Sequence, residues 1–196
     1  MTRPRPILRS LVVLGIVALC VATGTVAAFS AGTGSAANAV TAGTVTIADN
    51  DAGAAVVALP SAVPGQSSTG CIAVTYSGSL AADVRLYANL SGALAPHLAL
   101  TVTRGTQAAP AFGSCAGFSA DATNYLGLGA GVVYSGALSA FPTSHASGIA
   151  DAVPAAPETW TAGETHVYRF VVTLANTTAA QGLSQSATFT WEARNQ

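Results

Sequence analysis

The three histidines of this 196-residue chain are its most versatile metal ligands, and they are widely separated: His97, His145 and His166. None belongs to a His-Glu-x-x-His motif or another pair at the spacing that places two ligands on one zinc ion. The sequence Asp49-Asn50-Asp51 has the composition of a calcium loop. However, Gly53 and Pro60 occupy its fifth and twelfth positions, where oxygen ligands are required. We therefore expect a polar turn there, and no metal site or metal cofactor in the chain.

Other short motifs with catalytic potential are also incomplete. Ser114 lies in Gly-Ser-Cys-Ala-Gly, which is not the Gly-x-Ser-x-Gly elbow of the α/β-hydrolases. The glycine-rich stretch 127–131 cannot be a P-loop, because the chain contains no lysine. We predict no catalytic residue, no cofactor and no enzymatic activity. Two tryptophans could stack on a sugar; the strand pattern places Trp191 in the core, so Trp160 is the expected surface candidate.

Alternation of apolar and polar residues predicts β-strands throughout the chain after the N-terminus. The alternating stretches are 40–47, 72–76, 82–90, 98–103, 168–174 and 187–194. A short strand is also expected at 56–59, a long connection at 105–131 and a surface loop at 142–157. The stretches on either side of Tyr76-Ser77-Gly78-Ser79 form either a hairpin or neighbouring strands linked across a sandwich. The pattern predicts an all-β fold, an antiparallel β-sandwich.

The N-terminus has the three parts of a secretory signal peptide. Three arginines precede an apolar run over 11–22, and small residues follow it. Cleavage is expected after Ala27, or one residue later after Ala28. This divides the chain into a helical signal at 1–27 and a single β-sandwich domain at 28–196, of which 28–40 is a flexible segment. An uncleaved membrane anchor is the alternative, because no charge interrupts 11–29.

The cysteine count and the charge indicate the cellular compartment of the protein and exclude one class of partner. Removal of the signal leaves Cys71 and Cys115, and two cysteines in an exported protein are expected to form a disulfide. Charged residues make up only 8% of the chain and form no basic patch, so nucleic acid is not an expected partner. We expect a secreted protein, extracellular or attached to the cell surface.

An ordered series of short motifs resembles the TasA/camelysin (CalY) family of secreted bacterial proteins, whose signals are processed by a SipW-type signal peptidase. The series consists of Gly24-Thr25-Val26-Ala27-Ala28-Phe29, Thr41-Ala42-Gly43-Thr44-Val45-Thr46-Ile47, Val63-Pro64-Gly65-Gln66, Gly78-Ser79-Leu80, Gln181-Gly182 and Phe189-Thr190-Trp191-Glu192-Ala193. The chain departs from the family in its lack of lysine, its shorter Ala/Gly-rich middle and its two mature cysteines.

The resemblance implies a jelly-roll-like sandwich and a structural role at the cell surface or in a biofilm matrix, including assembly into fibres. The implied partners are further copies of the chain, other matrix or cell-envelope components and, during export, the SipW-type peptidase. Camelysin has been classed as a metalloprotease, but this chain has no zinc-ligand pair with a general base. Residues 28–40 have the composition of a strand donated to a neighbouring copy, or of a disordered tail. A jelly-roll adhesion module that binds glycans through Trp160 or Tyr134 is the alternative function.

Overall fold

The computed structural model describes residues 42–150 and 158–195, which form ten β-strands and four single-turn 3₁₀ helices. The strands are β1 (Ile47–Asp49), β2 (Ser67–Tyr76), β3 (Ala82–Gly92), β4 (Leu98–Gln107), β5 (Phe118–Ala120), β6 (Val132–Ala137), β7 (Ile149–Ala150), β8 (Thr159–Trp160), β9 (Thr165–Leu174) and β10 (Gln185–Asn195). The 3₁₀ helices are Ala95–His97, Leu138–Ala140, His145–Ser147 and Thr178–Ala180. None of the helices in these two ranges is long and apolar enough to cross a membrane. The predicted signal helix, both cleavage positions (Ala27 and Ala28) and the 28–40 segment lie outside the described residues.

The strands form two antiparallel sheets that pack face to face. Sheet A has the order β1-β2-β9-β4-β5, and β6 also pairs with β4. Sheet B has the order β10-β3-β7, and β8 also pairs with β3. The chain crosses between the sheets from β2 to β3, from β3 to β4 and from β9 to β10, whereas β4 and β9, the long strands on either side of the short strands β5–β8, pair with each other in sheet A. The predicted all-β sandwich is confirmed.

The junction between β2 and β3 decides between the two arrangements left open by the sequence. β2 pairs with β1 and β9, whereas β3 pairs with β10, β7 and β8. The two strands are therefore linked across the sandwich and do not form a hairpin. The Tyr76 hydroxyl, which donates a hydrogen bond to the Leu80 carbonyl, helps to hold this crossing in place.

The core consists of the inward-facing residues that the alternation predicts. In sheet A, Tyr168 and Phe170 of β9 are at most 1% exposed, and in sheet B the same is true of Leu86. Trp191 faces them from β10, with its ring centroid 5.2 Å from that of Tyr168. Burial of a large apolar side chain contributes about 1.5–3 kcal/mol relative to exposure, so this interface is the main stabilising element of the sandwich.

Several predictions about the connections and short strands are wrong. Of the strand predicted at 40–47, residues 42–46 are described and not paired in either sheet, and β1 begins only at Ile47. The predicted surface loop at 142–157 contains β7 and a 3₁₀ helix with His145 buried.

Residues 56–59 do not form a strand, although Val56 packs against the core. The segment lies on the inner face of β2, where the Val56 carbonyl oxygen occupies the space that a side chain at Gly70 would need. Residues 56–59 are therefore apolar because they pack against sheet A, and they do not pair with any of its strands. The connection at 105–131 is not wholly irregular either, because it contains β5, paired with the end of β4.

A second, smaller core lies on the outer face of sheet A and contains the disulfide. Cys71 and Cys115 are bonded, as predicted, with their Cα atoms 5.2 Å apart. Cys71 is fully buried beside Ala73 and Val167, and the Phe118 ring covers this group together with Cys115. The bond therefore attaches the connection between β4 and β6 to the back of the sheet.

Candidate functional site

The longest unpaired backbone edge in the described part of the chain belongs to β10. This strand pairs with β3 along its full length, from Gln185 opposite Gly92 to Asn195 opposite Ala82. No other strand within 42–150 or 158–195 pairs with its second side. Among the described residues, sheet B therefore ends in an 11-residue strand whose outward N–H and C=O groups have no sheet partner.

The hydrogen bonds of β3 identify the outward groups of β10. The Ala88 N–H donates to the Pro142 carbonyl at 2.8 Å, so it points away from β10. In an antiparallel pair, residues directly opposite each other either exchange both hydrogen bonds or direct both N–H groups outward. Phe189 is opposite Ala88, and its N–H therefore points toward the open edge. Every second N–H of β10 points the same way, so the N–H groups of Ala187 and Trp191 also point toward the open edge.

A mainly apolar cavity of about 1100 Å³, partly open to solvent, lies between the two sheets beside this edge. Sheet A contributes Ile72 and Val172 to its wall, and β10 contributes Ala187, Phe189 and Trp191. Phe189 is only half-buried although it faces inward, because it borders this space. The outward N–H and C=O groups of β10 therefore lie next to a cavity that could accommodate apolar side chains.

Residues 51–62, which we call the strap, cover part of the cavity. Val56, Val57 and Leu59 of the strap are partly buried against the core. The strap begins with a turn that is closed by the Asp51 carboxylate, which accepts a hydrogen bond from the Gly53 N–H at 2.6 Å. It adds no strand to either sheet, so it shields the cavity without pairing with β10.

A charged cluster, composed of Arg104, Asp121, Glu158, Glu164 and His166, occupies another part of the sandwich. Arg104 and His166 lie on the inner face of sheet A, because Arg104 is opposite Tyr168 and His166 is opposite Val74. The Arg104 side chain is only 8% exposed. Its Nε lies 2.8 Å from an Asp121 oxygen, and both its terminal nitrogens donate to the Glu158 carboxylate. This bidentate pairing fixes Glu158 in position.

The second half of the charged cluster is built at the start of β9. Glu164 Oε1 lies 2.8 Å from His166 Nε2, and Glu164 Oε2 accepts a hydrogen bond from the Thr161 N–H at 2.8 Å. Burial by itself raises the pKa of Glu164, but the hydrogen bonds from Thr161 and His166 outweigh it. The pKa of Glu164 therefore lies below its ordinary value of 4.5.

This shift predicts how stability responds to acid. A carboxyl group with a lowered pKa in the folded state contributes stability above its unfolded pKa, and this contribution is lost as the pH falls through the folded pKa. We expect the free energy of unfolding of wild type to fall more steeply below pH 4.5 than that of Glu164→Gln. Urea unfolding at a series of pH values between neutral and acid measures both slopes. Parallel slopes would show that Glu164 is not held ionised by its partners.

Three members of the charged cluster have the donor atoms and proximity to hold a metal ion. One ligand atom each from Glu158, Glu164 and His166 lies within 4.8 Å of the others. The grouping includes His166 but neither His97 nor His145, so the described structure does not gather the three histidines around one ion.

The predicted sugar-stacking surface at Trp160 is wrong. Trp160 is fully buried, and its ring lies edge-on to His166 with centroids 4.5 Å apart. It pairs through β8 with the start of β3, which turns its ring inward. The predicted core position of Trp191 is confirmed. Tyr134 is half-buried, with its ring edge against Phe141 and its hydroxyl donating to the Ala137 carbonyl.

The remaining sequence motifs have structural roles. Asp49-Asn50-Asp51 forms the predicted polar turn, in which Asn50 Oδ1 accepts a hydrogen bond from the Ala73 N–H at 3.0 Å. Ser114 closes a turn through its contact with the Ala116 N–H. The stretch 127–131 turns back toward β4, where the Gly131 carbonyl accepts a hydrogen bond from the Arg104 N–H at 2.7 Å.

Sequence reasoning missed the charged cluster and the cavity. The Glu-x-His spacing places the side chains of Glu164, just before β9, and His166, within β9, on the same side of an extended chain. That half of the cluster could have been predicted from this spacing. No local pattern indicates the pairing of Arg104 with Glu158, which are distant in sequence. Comparisons of the chain with models of known protein families and with curated proteins find no match.

Proposed function

We propose that this protein is a secreted structural component of the cell surface or of a biofilm matrix. In this proposal, copies associate when an extended segment of one copy pairs with β10 of the next. The observation that carries it is the 11-residue open edge beside an apolar cavity. Addition of a strand to such an edge satisfies the unpaired N–H and C=O groups and buries apolar side chains in the same step.

The segment that we assign as the added strand is 28–40 of a second copy. An extended chain advances about 3.3 Å per residue, so this segment is long enough to run beside the whole of β10. It consists mainly of Ala, Gly, Ser and Thr, with no charged residue that would oppose entry beside an apolar cavity. Cleavage by a SipW-type peptidase after Ala27 would free its beginning.

The disulfide is compatible with this location. Disulfides persist in oxidising compartments outside the cytosol, and the bond between Cys71 and Cys115 is buried within the second core. The alternative role in glycan binding depended on an open aromatic surface at Trp160 or Tyr134. Trp160 is fully buried and Tyr134 packs against Phe141, so no specific observation favours that role.

Two changes, one in the added strand and one in the accepting edge, test the proposal. A form that begins at Ala28 is expected to form oligomers or filaments, and a form that begins at Thr41 is expected to remain monomeric. Ala187→Pro removes one outward N–H of β10 without removing a hydrogen bond to β3, and it is expected to reduce assembly at least tenfold. Sedimentation velocity and negative-stain electron microscopy measure the outcome.

The matched control is Ala187→Ser, which changes the same side chain but keeps the N–H. Circular dichroism of each variant checks that the sandwich is folded. Persistent monomers of the form beginning at Ala28, or unchanged assembly of the form beginning at Thr41, would contradict the proposal.

A further inference from the structure

The group formed by Glu158, Glu164 and His166 has the composition of a zinc site. We propose that these three side chains bind one Zn²⁺ ion, which links the residue preceding β8 to the start of β9. Imidazole nitrogen and carboxylate oxygen are both established zinc ligands. This inference is independent of the proposed assembly, because the group is separate from the β10 edge and the cavity.

The distances between the ligand atoms are close to those of a tetrahedral site. His166 Nε2 lies 2.8 Å from Glu164 Oε1 and 3.9 Å from Glu158 Oε1. Zinc lies about 2.0–2.2 Å from nitrogen and oxygen ligands, so two ligands at a tetrahedral angle are about 3.4 Å apart. All three ligand atoms lie within 4.8 Å of one another, so side-chain adjustments of about 1 Å would admit the ion. The ion would replace the hydrogen bond between His166 Nε2 and Glu164 Oε1, and the imidazole would then be neutral with its proton on Nδ1.

Neighbouring residues hold both carboxylates in place by hydrogen bonds. Arg104 Nη2 donates to Glu158 Oε1 at 3.0 Å, and this oxygen keeps a second lone pair for the ion. Thr161 engages Glu164 through Oε2, which leaves Oε1 directed at His166. Hydrogen-bonded second partners of this kind are typical of metal sites, where they orient the ligands.

The charges and a buried donor near the group favour a bound cation that carries water. Asp121, Glu158 and Glu164 supply three carboxylates, whereas Arg104 supplies one permanent positive charge. None of the carboxylate side chains is more than 32% exposed, so the excess of negative charge is only partly screened by solvent. The fully buried indole N–H of Trp160, whose ring contacts His166, has no acceptor among the described residues. Three protein ligands leave a fourth position on zinc for water, and a water oxygen could accept from a neighbouring donor.

Zinc titration of the chelator-treated full chain tests the site. Isothermal titration calorimetry is expected to give one Zn²⁺ per chain, and saturating ZnCl₂ is expected to raise the melting temperature, because a ligand that binds the folded state stabilises it. His166→Ala is expected to weaken Zn²⁺ binding at least 100-fold, and Glu158→Gln at least tenfold. His145→Ala, which removes a buried histidine outside the group, is expected to leave the affinity unchanged.

The variants separate a specific site from weak binding to surface groups. Circular dichroism in the absence of metal establishes that each variant is folded, and Glu158→Gln serves if His166→Ala does not fold. No Zn²⁺ binding by wild type, or equal affinity in wild type and the folded group variants, would overturn the proposal. Loss of binding in His145→Ala would also overturn it, because the ion would then be held elsewhere.

Discussion

Replacement of both Cys71 and Cys115 by alanine is expected to lower the free energy of unfolding by about 4 kcal/mol. The two cysteines are 44 residues apart in sequence, and a bond across a loop of this length restricts the unfolded chain by about that amount on the chain-entropy estimate. The bond is also the centre of the second core, where Cys71 is fully buried and Phe118 packs beside it. Urea unfolding of wild type and of the double variant measures the difference.

A reducing agent provides the matched control for this prediction. Dithiothreitol is expected to bring wild type close to the double variant and to leave the double variant unchanged. Mass spectrometry after alkylation is expected to find no free thiol at Cys71 or Cys115 in oxidised wild type. A double variant within about 1 kcal/mol of wild type would contradict the stabilising role assigned to the bond.

Replacement of Arg104 by methionine is expected to lower the free energy of unfolding by about 3 kcal/mol. Removal of one partner from a buried ion pair costs about 3–5 kcal/mol, because the opposite charges remain without compensation. We expect the lower end of this range, because the Glu158 side chain is 32% exposed and water can solvate part of its charge. The methionine preserves most of the apolar stem, so the loss measures the guanidinium and its contacts with Asp121 and Glu158.

Arg85→Met is the matched control for the Arg104 substitution. Arg85 makes a single hydrogen-bonded ion pair with Asp83 at 2.8 Å, and its side chain is 27% exposed. Pairs with such access to solvent contribute about 0–1 kcal/mol, so the control is expected to lose less than one third as much stability. Equal losses in the two variants would mean that Arg104 contributes no more than a surface pair.

The inner face of the sandwich could be predicted from the sequence because it depends on local alternation. Val74 and Tyr76 alternate with outward residues in β2, and both are buried as expected. Cys71 and Ala73 are buried too, although alternation places them on the opposite face. Their burial results from the connection between β4 and β6, which covers the outside of sheet A, and no period within β2 contains that information.

The site could not be predicted because it depends on contacts between distant parts of the chain. β10 is an edge because no strand among the described residues pairs with its second side, and strand order is not encoded in the alternation of any one strand. Arg104 continues the inward-facing series of β4 beyond Val102, where alternation predicts an apolar residue. Its burial becomes favourable only because Asp121 and Glu158 approach from other segments.

Hydrogen–deuterium exchange of β10 before and after assembly tests the central claim most directly. In the monomer, the outward amides of Ala187, Phe189 and Trp191 are expected to exchange quickly, because they point toward the open edge. In the assembled protein these amides are expected to exchange at least tenfold more slowly, while the amides bonded to β3 change little. Assembly that leaves the exchange of the outward amides unchanged would show that the subunits associate through another surface.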